Sequence, residues 1–203
     1  MVQVRYRFRT DAAAVDSTPT WAAAENTNYY PGLETAFRLR FTVNNTGTAA
    51  GAGPHIIRLS KNAGAYAAIT TSSTAGVQSV NAGASADEAT IATANFRLTA
   101  GTGTALAGVY DETGSATKSI TNGFYTELEY GLIIKTANVT GGDVLDFRIY
   151  NSTTAYTTYT QTPRIMIPTA ALANDVSSAS SVSRPAVNRV ATYIGTNTKT
   201  TAD

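Results

Sequence analysis

An all-β chain, folded as an antiparallel β-sandwich of immunoglobulin-like or jelly-roll-like type with an extended C-terminal arm, is what three observations predict. Four of the six phenylalanines are followed directly by arginine, at Phe8-Arg9, Phe37-Arg38, Phe96-Arg97 and Phe147-Arg148, each within a run that alternates apolar and polar residues. Successive side chains of a strand point to opposite faces, so each pair sends a ring into a core and a guanidinium to an outer surface. Threonine and the 11 tyrosines suit a half-buried pleated surface, while 16 glycines and frequent asparagines serve the turns. With 203 residues the chain can bury a sizeable core in one domain, and sandwiches of this length need not divide.

Residues 2–9 (VQVRYRFR) alternate cleanly, with Val2, Val4, Tyr6 and Phe8 expected inward and Gln3, Arg5, Arg7 and Arg9 outward. A polar loop follows. It holds the single tryptophan, Trp21, expected to cap the core, and closes at the turn signal Tyr29-Tyr30-Pro31-Gly32. Residues 35–43 (TAFRLRFTV) form the next strand, with Phe37, Leu39, Phe41 and Val43 inward, ending in the turn Asn44-Asn45-Thr46-Gly47. Its successors are a strand over 56–61 and a short one around 66–70 after Asn62-Ala63-Gly64. Residues 72–89 and 100–123 read as long loops around one strand over 90–98. Long loops in a compact domain commonly bind something or reach a neighbour. Regular alternation returns over 126–135 and 144–150, with Leu128, Tyr130, Leu132, Ile134, Leu145, Phe147 and Ile149 inward. A last strand runs over 156–167, where Pro163 cannot donate a ladder hydrogen bond and so implies an edge or a bulge. Eight or nine strands would make two packed sheets.

The sandwich is thus expected over 1–168. Residues 169–203 scatter Leu172, Val176, Val182, Val187, Val190, Tyr193 and Ile194 among small polar residues without sustained periodicity. Alone, such a segment buries too little apolar surface to offset its ordering entropy. It reads either as a solvated tail or, the reading adopted, as an arm laid on a neighbouring subunit.

Net charge is +1 and only 14% of residues are charged, so no whole-molecule field draws the chain to nucleic acid or an anionic membrane. The absence of cysteine excludes disulfides, thiolate metal sites and cysteine nucleophiles. No basic segment followed by an apolar stretch opens the sequence and no window approaches 18 apolar residues, so neither a secretory signal nor a membrane span is expected. Arginine outnumbers lysine, 11 to 4. Guanidinium is enriched at interfaces and lysine is depleted there, which fits an assembly subunit. Genomic base composition is the alternative explanation.

Signals of catalysis or metal binding are weak. The single histidine, His55, cannot build a multi-histidine site and reads as structural. Glu127 and Glu129 lie two apart on one strand face, about 7 Å from each other, a spacing that superficially suits a glycosidase pair. A solvated face or salt links to cross-strand arginines is the competing account. Asp111-Glu112 and Asp143 with Asp146 lack any recognised calcium-loop spacing. There is no Gly-x-Ser-x-Gly elbow and no phosphate loop. Asn-x-Thr triplets at Asn44, Asn138 and Asn151 matter only on a eukaryotic secretory route. No catalytic residue, cofactor or metal is therefore expected.

Several segments carry a resemblance: VRYRFR followed by Asp11, the loop Trp21-Ala22-Ala23-Ala24-Glu25-Asn26-Thr27, FRLRFTV, and the closing FRIYNSTTAYTTYTQTPRI. Together, over most of residues 2–167, these resemble a group of bacteriophage and prophage virion proteins with an opening arginine-rich strand, a Trp-x-Ala-x-Glu-Asn loop and a Tyr-x-x-Thr-Pro strand, here Tyr159 to Pro163. The resemblance implies a virion decoration or a head- or tail-associated component. It does not extend to the arm.

Three functions are set against one another. The first is a non-enzymatic capsid decoration or cement protein in the virion, assembled in the host cytoplasm. Its expected partners are the major capsid protein or other virion proteins and copies of itself, with no nucleic acid or membrane. In it, Arg5, Arg7, Arg9, Arg38 and Arg40 would make polar contacts to the shell and Val187, Val190, Tyr193 and Ile194 would anchor the arm, multivalency raising avidity. The second is a fibre adhesin module for a host receptor or glycan, with Tyr29, Tyr30, Tyr110 and Tyr125 exposed and clustered. The third is a carbohydrate-active enzyme using Glu127 and Glu129, which detectable hydrolysis would be needed to support.

Overall fold

In a computed structural model describing residues 1–10, 14, 18–83 and 85–169, the chain is all-β, with two single-turn 3-10 segments at Thr93–Asn95 and Thr136–Asn138. The strands are β1 (Val2–Arg9), β2 (Ala36–Asn44), β3 (Gly51–Ala52), β4 (His55–Lys61), β5 (Ala67–Ala68), β6 (Val77–Ser79), β7 (Thr90–Ile91) and β8 (Thr104–Ala105). They continue as β9 (Gly108–Asp111), β10 (Ser115–Ala116), β11 (Ser119–Ile120), β12 (Phe124–Ile134), β13 (Val144–Asn151), β14 (Thr154–Ala155), β15 (Thr158–Tyr159) and β16 (Arg164–Met166).

Two sheets make the sandwich. The larger runs β15-β1-β2-β12-β9-β7, with β6 and β8 also on β12, and the smaller runs β10-β4-β13-β14, with β16 on β13 and β5 on β4. The pair β3 and β11 forms a separate ribbon. The long pairs β1/β2, β2/β12 and β4/β13 are antiparallel as expected. However, β1/β15, β12/β8 and β12/β9 are parallel, so the larger sheet is mixed.

Alternation places the core between the sheets. Phe37, Leu39, Phe41 and Val43 of β2 and Leu128, Tyr130, Leu132 and Ile134 of β12 meet Ile57, Leu59, Leu145, Phe147 and Ile149 of the smaller sheet, all buried in one cluster. At about 25 cal/mol per Å² of apolar area, this layer is the main stabilising term.

Four expectations need correction. In β1 the register shifts between Gln3 and Arg5, so Gln3 is fully buried while Val2 and Val4 are only half-buried. One inserted residue reverses the alternation on one side of a bulge. Gln3 gains partners in return: its Nε2 donates to the Gln161 carbonyl (2.8 Å) and its Oε1 accepts from the Ile149 N–H (2.9 Å). The predicted strand over 90–98 shrinks to Thr90–Ile91, followed by the turn at Thr93–Asn95. Phe96 packs instead with Ile91 and Tyr110 in a satellite cluster, so its Phe-Arg pair is no strand signal. The last predicted strand breaks into β15 and β16, and Pro163 lies just before β16 with its carbonyl accepting from the Phe147 N–H (3.0 Å). The segments read as long loops carry β6 and β8 to β11, most of them two residues long. Residues 170–203, the bulk of the expected arm, lie outside the described residues.

Candidate functional site

The two outer faces of the sandwich carry the arginines, and they differ in what covers them. On the larger sheet, Arg9, Arg38 and Arg40 are completely buried, so the exterior position expected for them is wrong. Cross-strand register explains this. Arg40 of β2 stands opposite both Arg7 of β1 and Glu129 of β12, and Arg9 stands opposite Arg38. Glu129 Oε1 lies 3.2 Å from Arg38 Nη1 and 3.6 Å from Arg9 Nη1, and its Oε2 accepts from Arg40 Nε. Arg40 Nη1 reaches Glu127 Oε2 at 3.0 Å.

Loops close over this charged layer and are tied to it. Arg38 Nε donates to the Ala82 carbonyl (3.0 Å) and Arg9 Nη2 to that of Ala14 (3.1 Å), while Glu127 Oε1 accepts from the Arg97 and Leu98 N–H groups (3.0 and 2.8 Å). Gly131, opposite Arg38, makes room: a Cβ there would sit 2.2 Å from the Val80 carbonyl oxygen. Tyr110 lies beneath Arg38, its ring centroid 4.8 Å from the guanidinium carbon. Burial opposes the charge of Arg40, yet Glu129 and Glu127 outweigh it and raise its pKa. Burial also raises the pKa of Glu127, against the pull of Arg40. Glu127 and Glu129 are therefore buried ligands of arginine.

The Trp21 loop seals the edge of β1. Ala22 and Asn26 N–H groups donate to the Phe8 and Tyr6 carbonyls (3.0 and 2.9 Å), and Trp21 bridges to Arg9. Asn26, at φ 57°, returns its Oδ1 to the Tyr6 N–H (3.0 Å), and Glu25 pairs with Arg5 at 2.8 Å. Arg7 donates to the Ala23 carbonyl (2.8 Å) and lies 4.7 Å from the Trp21 ring centroid. Each residue of the Trp-x-Ala-x-Glu-Asn motif thus holds a loop against a strand edge that would otherwise be open for pairing. Trp21 stacks on arginine instead of capping the apolar core. Arg5 and Arg7 are half-buried and committed to this loop.

The smaller sheet presents an uncovered face. Here Arg58 of β4 and Arg148 of β13 stand directly opposite, a like-charge pair with no intervening acid. Aromatic rings flank both. Arg58 sits 4.6 Å from the Tyr150 ring centroid, and Arg148 is held between Tyr66 (4.7 Å) and Tyr159 (4.4 Å). Burial raises the Tyr66 phenol and pushes Tyr159 up to about 12, so both rings are neutral at physiological pH. Beside them Arg164 clamps Asp146 through two bonds of 2.7 and 2.9 Å. Asn28, Tyr66, Asp146, Arg148, Thr162 and Arg164 line a depression of about 350 Å³. Met166, two residues along from Arg164, is a large hydrophobic residue left 64% exposed.

Other candidates are occupied internally. His55 is buried, its Nδ1 2.8 Å from the Tyr156 hydroxyl, and burial pulls its pKa down to about 4 against a contact with the Lys118 backbone. Asp111 accepts N–H groups of Thr113 (3.0 Å), Gly114 and Ser115 (2.8 Å), closing a turn. Asp143 binds Lys61, Asn62 and the Thr140 N–H. Among the described residues no group of three or more metal-ligating side chains comes together. The tyrosines expected in a glycan site do not cluster on the surface: Tyr110 is fully buried, Tyr29 and Tyr30 pack against the core, and Tyr125 packs on Phe96. The proposed arm anchors Val187, Val190, Tyr193 and Ile194 lie outside the described residues.

Sequence reasoning set Arg148 on an outer face and Tyr159 in the closing motif without making either a site residue, and it did not single out Arg58, Arg164, Tyr66 or Tyr150 as one. One signal pointed to them: strand β13 repeats the Phe-Arg pair, and its neighbour β4 offers Arg58 where β12 offers Glu129. Comparisons with protein-family models, curated proteins and solved structures find no match to this chain.

Proposed function

We propose that this chain is a non-enzymatic virion structural protein, a capsid decoration or cement subunit that binds the shell through the outer face of its smaller sheet. The observation that carries this reading is the open row of Arg58, Arg148, Tyr66, Tyr150 and Tyr159, with Met166 at its border. Tyrosine, arginine and methionine are the residues over-represented at protein interfaces, and tyrosine and arginine dominate their energetic centres. Rings and guanidiniums already stacked in the free protein lose little side-chain entropy when covered. Burial of Glu127 and Glu129 against arginine supports the absence of glycosidase chemistry, since neither carboxylate faces solvent. The resemblance to virion proteins supports the particle as the setting and the major capsid protein as the partner. This reading moves the shell contact from Arg5, Arg7, Arg9, Arg38 and Arg40 to the other sheet.

The test is cosedimentation of the full chain with undecorated phage capsids, host cells and immobilised glycans in parallel. Saturable capsid binding, weakened at least tenfold by Tyr150→Ala with Tyr66→Ala, is expected. Binding to cells or glycans without capsids would replace decoration by adhesion.

A further inference from the structure

We infer that the depression around Arg148 is a carboxylate-binding site that takes an acidic side chain from the protein partner. This assignment rests on the outer face being a contact surface, and it names the chemistry of that contact. Arg148 stacks on the Tyr66 and Tyr159 rings and lines the depression; its Nε is shielded from solvent without a hydrogen-bond partner among the described residues, so its Nη groups are the donors that face a ligand. Asn28 has committed its Oδ1 to the Tyr6 hydroxyl (2.7 Å) and the Arg164 N–H (3.0 Å), which leaves its Nδ2 group to donate elsewhere. Thr162 adds a hydroxyl to the lining.

Charge points the same way. Asp146 spends both carboxylate oxygens on Arg164, so this pair is neutral as a unit. Arg148 and Arg58 then remain as two positive charges opposite one another, and like charges at facing positions of a sheet destabilise it. The neutral phenols at Tyr66 and Tyr159 supply ring faces but no compensating anion. A carboxylate placed on Arg148 would relieve this repulsion and form the bidentate pair that guanidinium geometry favours.

Shape selects the source of the carboxylate. At about 350 Å³ the depression is at the small end for ligand sites, on the scale of one side chain or one sugar ring. A pyranose would need an open aromatic face to stack on, whereas Arg148 already occupies a face of Tyr66 and of Tyr159. The surrounding Tyr150, Arg58 and Met166 suit a flat protein contact around one inserted acid.

The experiment titrates the full chain with a capped Glu-Asp-Glu tripeptide, the matching Gln-Asn-Gln tripeptide, and glucuronate, following the arginine Nε–H resonances by NMR. The acidic tripeptide is expected to shift the Arg148 resonance saturably, with affinity falling as salt is added. Arg148→Gln should weaken binding roughly tenfold or more, Arg148→Lys should weaken it less, and melting curves of both variants confirm that they fold. Equal response to the Gln-Asn-Gln tripeptide, or undiminished binding by both folded variants, would overturn the site. Glucuronate binding without tripeptide binding would overturn the protein partner in favour of an acidic sugar. Tripeptide binding by a chain that ignores capsids would leave the carboxylate site standing and remove the virion role. Capsid binding unaffected by Arg148→Gln would do the reverse.

Discussion

Strand β2 reads FRLRF and strand β13 reads DFRIY, yet both arginines of the first are sealed inside and the single arginine of the second, Arg148, is half-buried on an outer face. The difference comes from the neighbouring strand and from what lies above it. Opposite Arg40 stands Glu129, so the charges neutralise in place and loops can close over them. Opposite Arg148 stands Arg58, and tyrosine rings flank both half-buried guanidiniums, shielding their Nε groups while Arg148 still lines a surface depression. A buried guanidinium therefore requires an acid in register, and an aromatic flank suffices only at the surface.

The largest expected effect lies inside. Glu129→Ala leaves Arg9, Arg38 and Arg40 around a missing carboxylate, and losing one partner of a buried ion pair costs roughly 3–5 kcal/mol. Urea unfolding measures it; a loss below about 1 kcal/mol would mean the layer is solvated and the contrast between the faces false. Next comes pH. His55 titrates near 6.5 when unfolded and at about 4 in the fold, so between those values the unfolded chain binds more protons. Its contribution is complete above about pH 6.5 and disappears as pH falls to 4, on the order of 3 kcal/mol. Because the chain has one histidine, its imidazole NMR titration is unambiguous, and a value near 6.5 would refute the burial argument.

A smaller effect tests the cover. Gly131→Ala pushes a methyl group into the Val80 carbonyl and should cost about 1–3 kcal/mol, with faster amide exchange confined to residues 80–82. Exchange spreading evenly through the sandwich would argue that the loop is no separate lid on the charged layer. On the outer face, Arg58→Gln should change stability by less than about 1 kcal/mol, since it removes one ring contact at the sheet surface and bonds of 3.3 Å to the Tyr66 and Ser152 carbonyls. A loss comparable to that of Glu129→Ala would erase the distinction between the faces. Smallest of all, Asp146→Asn breaks an exposed pair and should lie within about 1 kcal/mol of wild type by the same unfolding measurement.

Sequence alone determined the sandwich and most of its core. The inward sets of β2, β12 and β13 could be named residue by residue because period-two alternation is a local property of the backbone. Local pattern failed where one inserted residue reversed it at Gln3, and where Phe96-Arg97 follows the Thr93–Asn95 turn without pairing as a strand. It also could not say which outward face meets water. That depends on contacts between distant segments: Glu129 with Arg38 and Arg40, Ala82, Arg97 and Leu98 bonded to the same charged layer, and Tyr66 and Tyr159 brought onto Arg148. Alternation states only that a side chain leaves the core. Whether it enters solvent or a second, charged interior is decided by the tertiary structure, because burying charge is tolerable only where opposite charge and hydrogen-bond partners converge from elsewhere in the chain.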